Sequence, residues 1–210
     1  MRVRTAVLIS GRGSNMAALI RAAAAPAFPA EIALVISDRA AAAGLALARV
    51  AGIPTKVIEV RGAARARHEA EIDAMLERHR IGLVCLAGYL HVLTPFLVGR
   101  WRGRMLNIHP SLLPAFPGLE THARALAAGA KLHGCTVHLV TEQLDSGPIL
   151  AQAAVPVLPD DTPERLAARV LIQEHRIYPL ALAMMAGARA ETAAADAALM
   201  NPLPALEPAP

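Results

Sequence analysis

Asn107 and His109 stand two residues apart in Asn107-Ile108-His109-Pro110-Ser111-Leu112-Leu113-Pro114, at the end of an apolar run that starts at Met105. Residues 105–109 read as a strand. Side chains on a strand alternate between faces, so the amide and the imidazole point the same way at its carboxyl end. Pro110 then takes the chain out of the sheet. An amide donor beside a titratable donor suits an oxygen that gains negative charge in acyl transfer, because preorganised donors help most where charge develops. No nucleophile is implied. A histidine at a strand end is also commonly a satisfied polar residue and nothing more. The choice therefore turns on a glycine loop after the first strand, an Asp-Ser-Gly-Pro loop after a later one, and the spacing between all three.

Ser10-Gly11-Arg12-Gly13-Ser14-Asn15 follows the first strand pattern and opens the first helix. That places backbone N–H groups and the positive helix end around an anion, the arrangement of a phosphate cradle. Asp38, after the second strand, sits where a dinucleotide fold keeps its ribose-binding acid. The third glycine of that fingerprint is missing, however, since Met16 occupies its position. A tight strand-to-helix turn without a ligand is the alternative for this loop. Leu144-Asp145-Ser146-Gly147-Pro148 reads as a turn between strands, where an aspartate often serves only its own backbone. If the strands at 105–109 and 136–140 are neighbours, Asp145 reaches His109 and favours its charged form. His133 and His138 raise the question of a metal, but no His-Glu-x-x-His pattern is present and the other histidines lie in mismatched contexts. Ser111 lacks the Gly-x-Ser-x-Gly elbow of a serine hydrolase.

These residues need a frame. Runs rich in Val, Ile and Leu recur at 5–9, 32–36, 56–60, 83–87, 105–109 and 136–140, with helical patterns at 15–24, 42–51 and 64–79. Strands alternating with helices predict an α/β fold, a Rossmann-like, mostly parallel twisted sheet with helices on both faces. Ligands of such sheets sit beyond the carboxyl ends of the strands. After residue 110 the rhythm changes to a proline-rich loop at 110–117 and a short helix around 122–128. Strands at 136–140 and 149–157 then form an antiparallel pair. A long C-terminal helix follows, capped by Asp161 or Thr162, with Pro163 in its first turn and Glu164 complementing the dipole. It runs to about 186. No internal repeat is evident.

Composition narrows the classes. With 210 residues and 55% hydrophobic content, the chain can bury a core and is not a disordered segment. No apolar stretch is long enough for a bilayer and no signal-peptide pattern precedes the first strand, so the expected compartment is the cytoplasm. The net charge of +4 comes largely from scattered arginines without stacking aromatics, which argues against a nucleic-acid partner. Cys85 and Cys135 lie in apolar strand patterns and read as buried reduced thiols.

Taken together, the chain from about 7 to 186 resembles the phosphoribosylglycinamide formyltransferases, folate-dependent enzymes of purine synthesis. The resemblance rests on the loop at 9–15, Leu86-Ala87-Gly88-Tyr89, the segment 107–114, His133-Gly134-Cys135-Thr136-Val137-His138, the turn at 144–148 and Gln173-Glu174-His175. The 107–114 piece also occurs, with variations, in methionyl-tRNA formyltransferase and formyltetrahydrofolate deformylase, whose extra domains this chain has no room for. The resemblance implies transfer of formyl from 10-formyltetrahydrofolate, a co-substrate, to the amine of glycinamide ribonucleotide. Asn107, His109 and Asp145 would be catalytic. Gly13, Ser14 and Asn15 would bind the substrate phosphate, and Gln173 and Glu174 its ribose side. Folate would lie along Leu90, His91, Val92 and Leu93 and along Thr141, Glu142, Gln143, Leu144 and Asp145, beside Asn107. Its tail carboxylates would meet Arg65, with Arg67 as the rival.

The resemblance also implies one formyltransferase domain over 1–189, with a phosphate-binding half at 1–104 and a catalytic and folate half at 105–189. Residues 190–210 are expected to be a flexible tail. The expected partners are the two small-molecule substrates, with no metal, nucleic acid or membrane, in a monomer or homodimer. Glu120 stands where the family often has histidine, and His91 where arginine is common. Two alternatives remain open: a related formyltransferase acting on another amine, such as an amino sugar nucleotide, and a nucleotide-binding protein without catalysis.

Overall fold

Aliphatic runs form the strands β1 (Val3–Ile9), β2 (Ala30–Ser37), β3 (Thr55–Val57), β4 (Leu83–Leu86) and β5 (Met105–His109), followed by β6 (Leu132–Leu139), β7 (Ile149–Pro156) and β8 (Ala198–Leu199). The structure, a computed structural model, describes residues 1–60, 65–187 and 198–199. The strands join one sheet in the order β3-β2-β1-β4-β5-β6-β7-β8. Pairing is parallel from β3 to β5, antiparallel for β5 with β6 and for β6 with β7, and parallel for β8 on β7. This is the Rossmann-like, mostly parallel sheet with C-terminal antiparallel strands that the alternation predicts. The strand order reverses between β1 and β4. That reversal opens a crevice at the carboxyl ends of the strands, where open α/β sheets bind ligands.

Six helices cover the two faces: α1 (Ser14–Ala23), α2 (Gly44–Val50), α3 (Arg65–Arg78), α4 (Pro95–Arg100), α5 (Thr121–Ala127) and α6 (Pro163–Gly187). The period of two along β1 divides the core. Val7 and Ile9 pack on the side of Leu19, Leu45 and Tyr178, while Ala6 and Leu8 pack on the side of Ile72, Leu76 and Trp101. Tyr178 is fully buried on α6, and its hydroxyl donates to Leu86 O at 2.9 Å, with Leu106 O at 3.2 Å. The long helix is thereby fixed beneath the two strands that lead into the crevice. Among the described residues no helix is long and apolar enough to cross a membrane.

Local differences from the sequence reading have physical causes. β3 ends at Val57, short of the expected 60, although Ile58 N still donates to Ser37 O. α4 was not foreseen; it is six residues long, too short for a periodic pattern, and is started by Pro95 after an extended Thr94. At the head of α6 it is Thr162 that caps, accepting from Arg165 N at 3.3 Å. Asp161 instead accepts from Leu158 N and forms a two-pronged ion pair with Arg169 at 2.7 and 2.8 Å. The tail expected at 190–210 lies outside the described residues apart from Ala198–Leu199, which pair with Ala151 and Gln152 on β7.

Candidate active site

β5 delivers Asn107 and His109 to one cavity at its carboxyl end, as the alternation of the strand requires. Directly opposite Asn107 in the antiparallel ladder stands His138 of β6. His138 Nδ1 lies 2.9 Å from Leu139 O, which can only accept, so the ring proton belongs on Nδ1. Nε2 is then free to accept from Asn107 Nδ2 at 3.2 Å. Burial holds the His138 imidazole below its ordinary value, and the neutral ring is the form this contact needs. His138 therefore orients the Asn107 amide. It was missed in the sequence because its role depends on the register of two strands.

The ring of His109 is held at both nitrogens. Nε2 donates to Phe116 O at 3.1 Å, and Nδ1 faces Asp145 Oδ2 at 3.5 Å, longer than a hydrogen bond but within reach of an ion pair. Asp145 Oδ2 also accepts from Gly118 N at 2.8 Å, and Oδ1 is 3.8 Å from His138 Nε2. The Asp-Ser-Gly-Pro turn can place this carboxylate because Asp145 adopts the left-handed conformation, φ 50°. Gly147 then passes against β6 so closely that a Cβ there would sit 1.8 Å from Leu139 O. After His109 the chain is fixed by Thr136, whose hydroxyl accepts from Leu113 N and donates to Ser111 O. Ser111 itself is fully buried and donates to Ala115 O, so its hydroxyl is not offered as a nucleophile.

The cavity measures about 470 Å³. Its walls include Asn107, His109 and Asp145, the segment Leu90, His91, Val92 and Leu93, and the segment Thr141, Glu142, Gln143 and Leu144. The two departures from the family pattern, His91 and Glu120, both line it, and so does His122. Arg65 does not line it. It is exposed at the first residue of α3, while Arg67 is committed to Glu71 at 3.3 Å. Next to the cavity, β6 carries His133, buried and pushed down to about 4 by loss of water and by His122. A histidine held neutral by the fold stabilises it above the unfolded value of roughly 6.5 and loses that contribution as pH falls toward the folded value. The melting temperature is accordingly expected to drop between pH 6.5 and about 4. His133→Leu should flatten part of that drop, as thermal unfolding across the range would show.

The residues expected at the phosphate end gather outside this cavity. Asn15 Nδ2 donates to Glu174 Oε2 at 2.5 Å, joining α1 to α6. Burial pushes the Glu174 carboxyl up, against the opposing pull of Asn15. Ser14 is half-buried, and Gln173 Oε1 is buried without a partner among the described residues. Gly13 also carries a packing demand. Its φ of +74° and the 2.8 Å approach of its would-be Cβ to Gly44 Cα show that it is needed for packing the loop on α2. Gly13→Ala should therefore destabilise the whole protein by at least about 1–2 kcal/mol, read by denaturant unfolding, before any ligand is considered. The glycine loop follows β1, which is separated from β5 in the sheet by β4 alone. Among the described residues no group of three or more His, Cys, Asp or Glu side chains is placed to hold a metal ion.

A family model described as formyl transferase matches residues 3–182. The chain is 43% identical over 184 residues to the phosphoribosylglycinamide formyltransferase of Escherichia coli (strain K12), covering 87% of each. It is 49% identical over 186 residues to the trifunctional purine biosynthetic protein adenosine-3 of Bos taurus, a match that takes 88% of this chain but spans 18% of that protein. The crystal structure of phosphoribosylglycinamide formyltransferase from Brucella melitensis superimposes with a TM-score of 0.85 at 60% identity, covering 89% of this chain and 96% of that one. With the paired donors on β5 and the glycine loop on β1 already in place, these matches decide the grouping: the chain belongs to the formyl transferase family and, within it, to the phosphoribosylglycinamide formyltransferases.

Proposed function

We propose that the protein transfers the formyl group of 10-formyltetrahydrofolate to the amine of 5-phosphoribosylglycinamide, giving the N-formyl product and tetrahydrofolate in de novo purine biosynthesis. The observation that carries this reading is the placement of Asn107 and His109 in the wall of one cavity, with Asp145 beside His109. The glycine loop follows β1, two strands away, at the same carboxyl end of the parallel strands. A substrate with a phosphate at one end and an amine at the other fits that separation. The amine attacks the formyl carbon directly. Asn107 Nδ2–H and the His109 ring stabilise the oxyanion as it forms, the developing oxygen replacing Phe116 O as acceptor of His109 Nε2–H. The C–N bond to the folate nitrogen then breaks, that nitrogen takes a proton, and the proton lost by the amine passes to the Asp145 side of the site.

The ligand assignments follow from this reading. Residues 90–93 and 141–145 hold the folate ring, Arg65 meets its tail carboxylates, Gly13, Ser14 and Asn15 hold the phosphate, and Gln173 and Glu174 hold the ribose side. The chain acts through one formyltransferase domain over 1–189, with its phosphate half at 1–104 and its folate half at 105–189, in the cytoplasm and without a metal. The test is tetrahydrofolate release with both substrates, measured against release with each omitted. Release that needs the phosphoribosyl amine supports the reading, and release with a different amine only moves the assignment to a related formyltransferase. Asn15→Leu, which removes one side-chain donor, is expected to raise KM for the phosphorylated amine by roughly tenfold and leave KM for the folate unchanged in initial-rate measurements.

A further inference from the structure

Residues 88–93 form part of the cavity wall, an irregular stretch that with Thr94 depends on side chains for its shape. Leu90 N donates to Ser10 Oγ at 2.9 Å, and the Tyr89 hydroxyl meets His68 Nε2 at 2.6 Å. Thr94 N and Thr94 Oγ1 donate to Glu69 at 2.7 and 2.5 Å. The remaining tether is His91, whose Nε2 is 2.8 Å from Asp38 Oδ2. Asp38 follows β2, and its side chain is only 1% exposed. Neither carboxylate oxygen has an aligned hydrogen-bond donor among the described residues. A buried carboxylate in that situation is costly unless a cation stands close. Arg39 is farther, at 3.8 Å, on a side chain 59% exposed, so water screens it. His91 is the nearer polar group, and at 35% exposure it also forms part of the cavity wall.

We propose that Asp38 is a positioning residue that acts through His91 to hold residues 90–93 against the bicyclic ring of the formyl-folate, setting affinity for that co-substrate and leaving the chemistry on β5 untouched. This rests on reading the cavity as the formyl-folate site.

The test uses Asp38→Asn, His91→Gln, the double variant and His91→Arg in the full-length protein. Asp38→Asn is expected to raise KM for 10-formyltetrahydrofolate roughly tenfold, with kcat at saturation and KM for the phosphoribosyl amine unchanged. The double variant should be no worse than the poorer single one, because the two groups act as a unit. His91→Arg, which places a cation in reach of Asp38, should lose less folate affinity than His91→Gln. Amide exchange provides a reading that needs no folate. Residues 88–94 should exchange roughly tenfold faster in His91→Gln while β1 and β4 keep their protection. Unchanged exchange there, additive losses in the double variant, or equal rises in both KM values overturn the proposal. Absence of transfer by the wild-type protein overturns the function instead, and the exchange result still decides the tether.

Discussion

Asn107→Ala is expected to lower kcat by about 100-fold or more while the melting temperature stays close to wild type, the usual scale for losing one preorganised oxyanion donor. The fold does not depend on this side chain. It lines the cavity, and its side-chain partner among the described residues is His138 Nε2 at 3.2 Å. Loss of the amide leaves His138 with an open acceptor beside a solvent-filled space, which water can satisfy. Ground-state binding of either substrate should change little, since the donor matters once the carbonyl oxygen becomes an oxyanion. His109→Ala should do comparable damage. If the two act on one oxygen, the double variant loses much less than the product of the single losses. Rapid-quench rates of the four proteins decide it, and independent multiplicative losses would remove the shared oxyanion site.

The second large effect is expected at Asp145. Asparagine adopts the left-handed backbone as readily as aspartate and can still accept from Gly118 N with its amide oxygen. Asp145→Asn should thus keep the melting temperature within a few degrees and bind both substrates. It removes the negative charge that lies 3.5 Å from His109 Nδ1, and with it the carboxylate proposed to receive the amine proton. A loss in kcat on the order of 100-fold is expected, together with an altered pH–rate profile, because that profile reports the acid and base of the reacting complex. Near-normal turnover with an unaltered profile would leave Asn107 and His109 without a carboxylate partner.

The parts of the site carried by a single strand were legible in the sequence. Asn107 and His109 share a face because alternation is local, and the long helix was legible down to Pro163 because capping is local too. Asp145 beside His109 followed from one conditional, that the strands bearing 105–109 and 136–140 are neighbours, and they are. Features that need a register or a distant approach were not legible. His138 as the partner of Asn107 depends on the Asn107–His138 pair in the ladder. The close approach of Gly13 to Gly44 at the start of α2 is a tertiary contact that the motif itself does not reveal. Asp38 looked like the ribose acid of a dinucleotide fold. In the structure that carboxylate lies against His91.

The central claim is that the formyl carbon passes directly from the folate in this cavity to the amine of a substrate anchored at the glycine loop. The most direct measurement is the fate of a 13C label in the formyl group of 10-formyltetrahydrofolate, followed by mass spectrometry with phosphoribosylglycinamide present. The account predicts that the label appears in the N-formyl product in equal amount to the tetrahydrofolate released, with none in formate. Label recovered as formate, or retained on the folate while the amine is left unchanged, would contradict it.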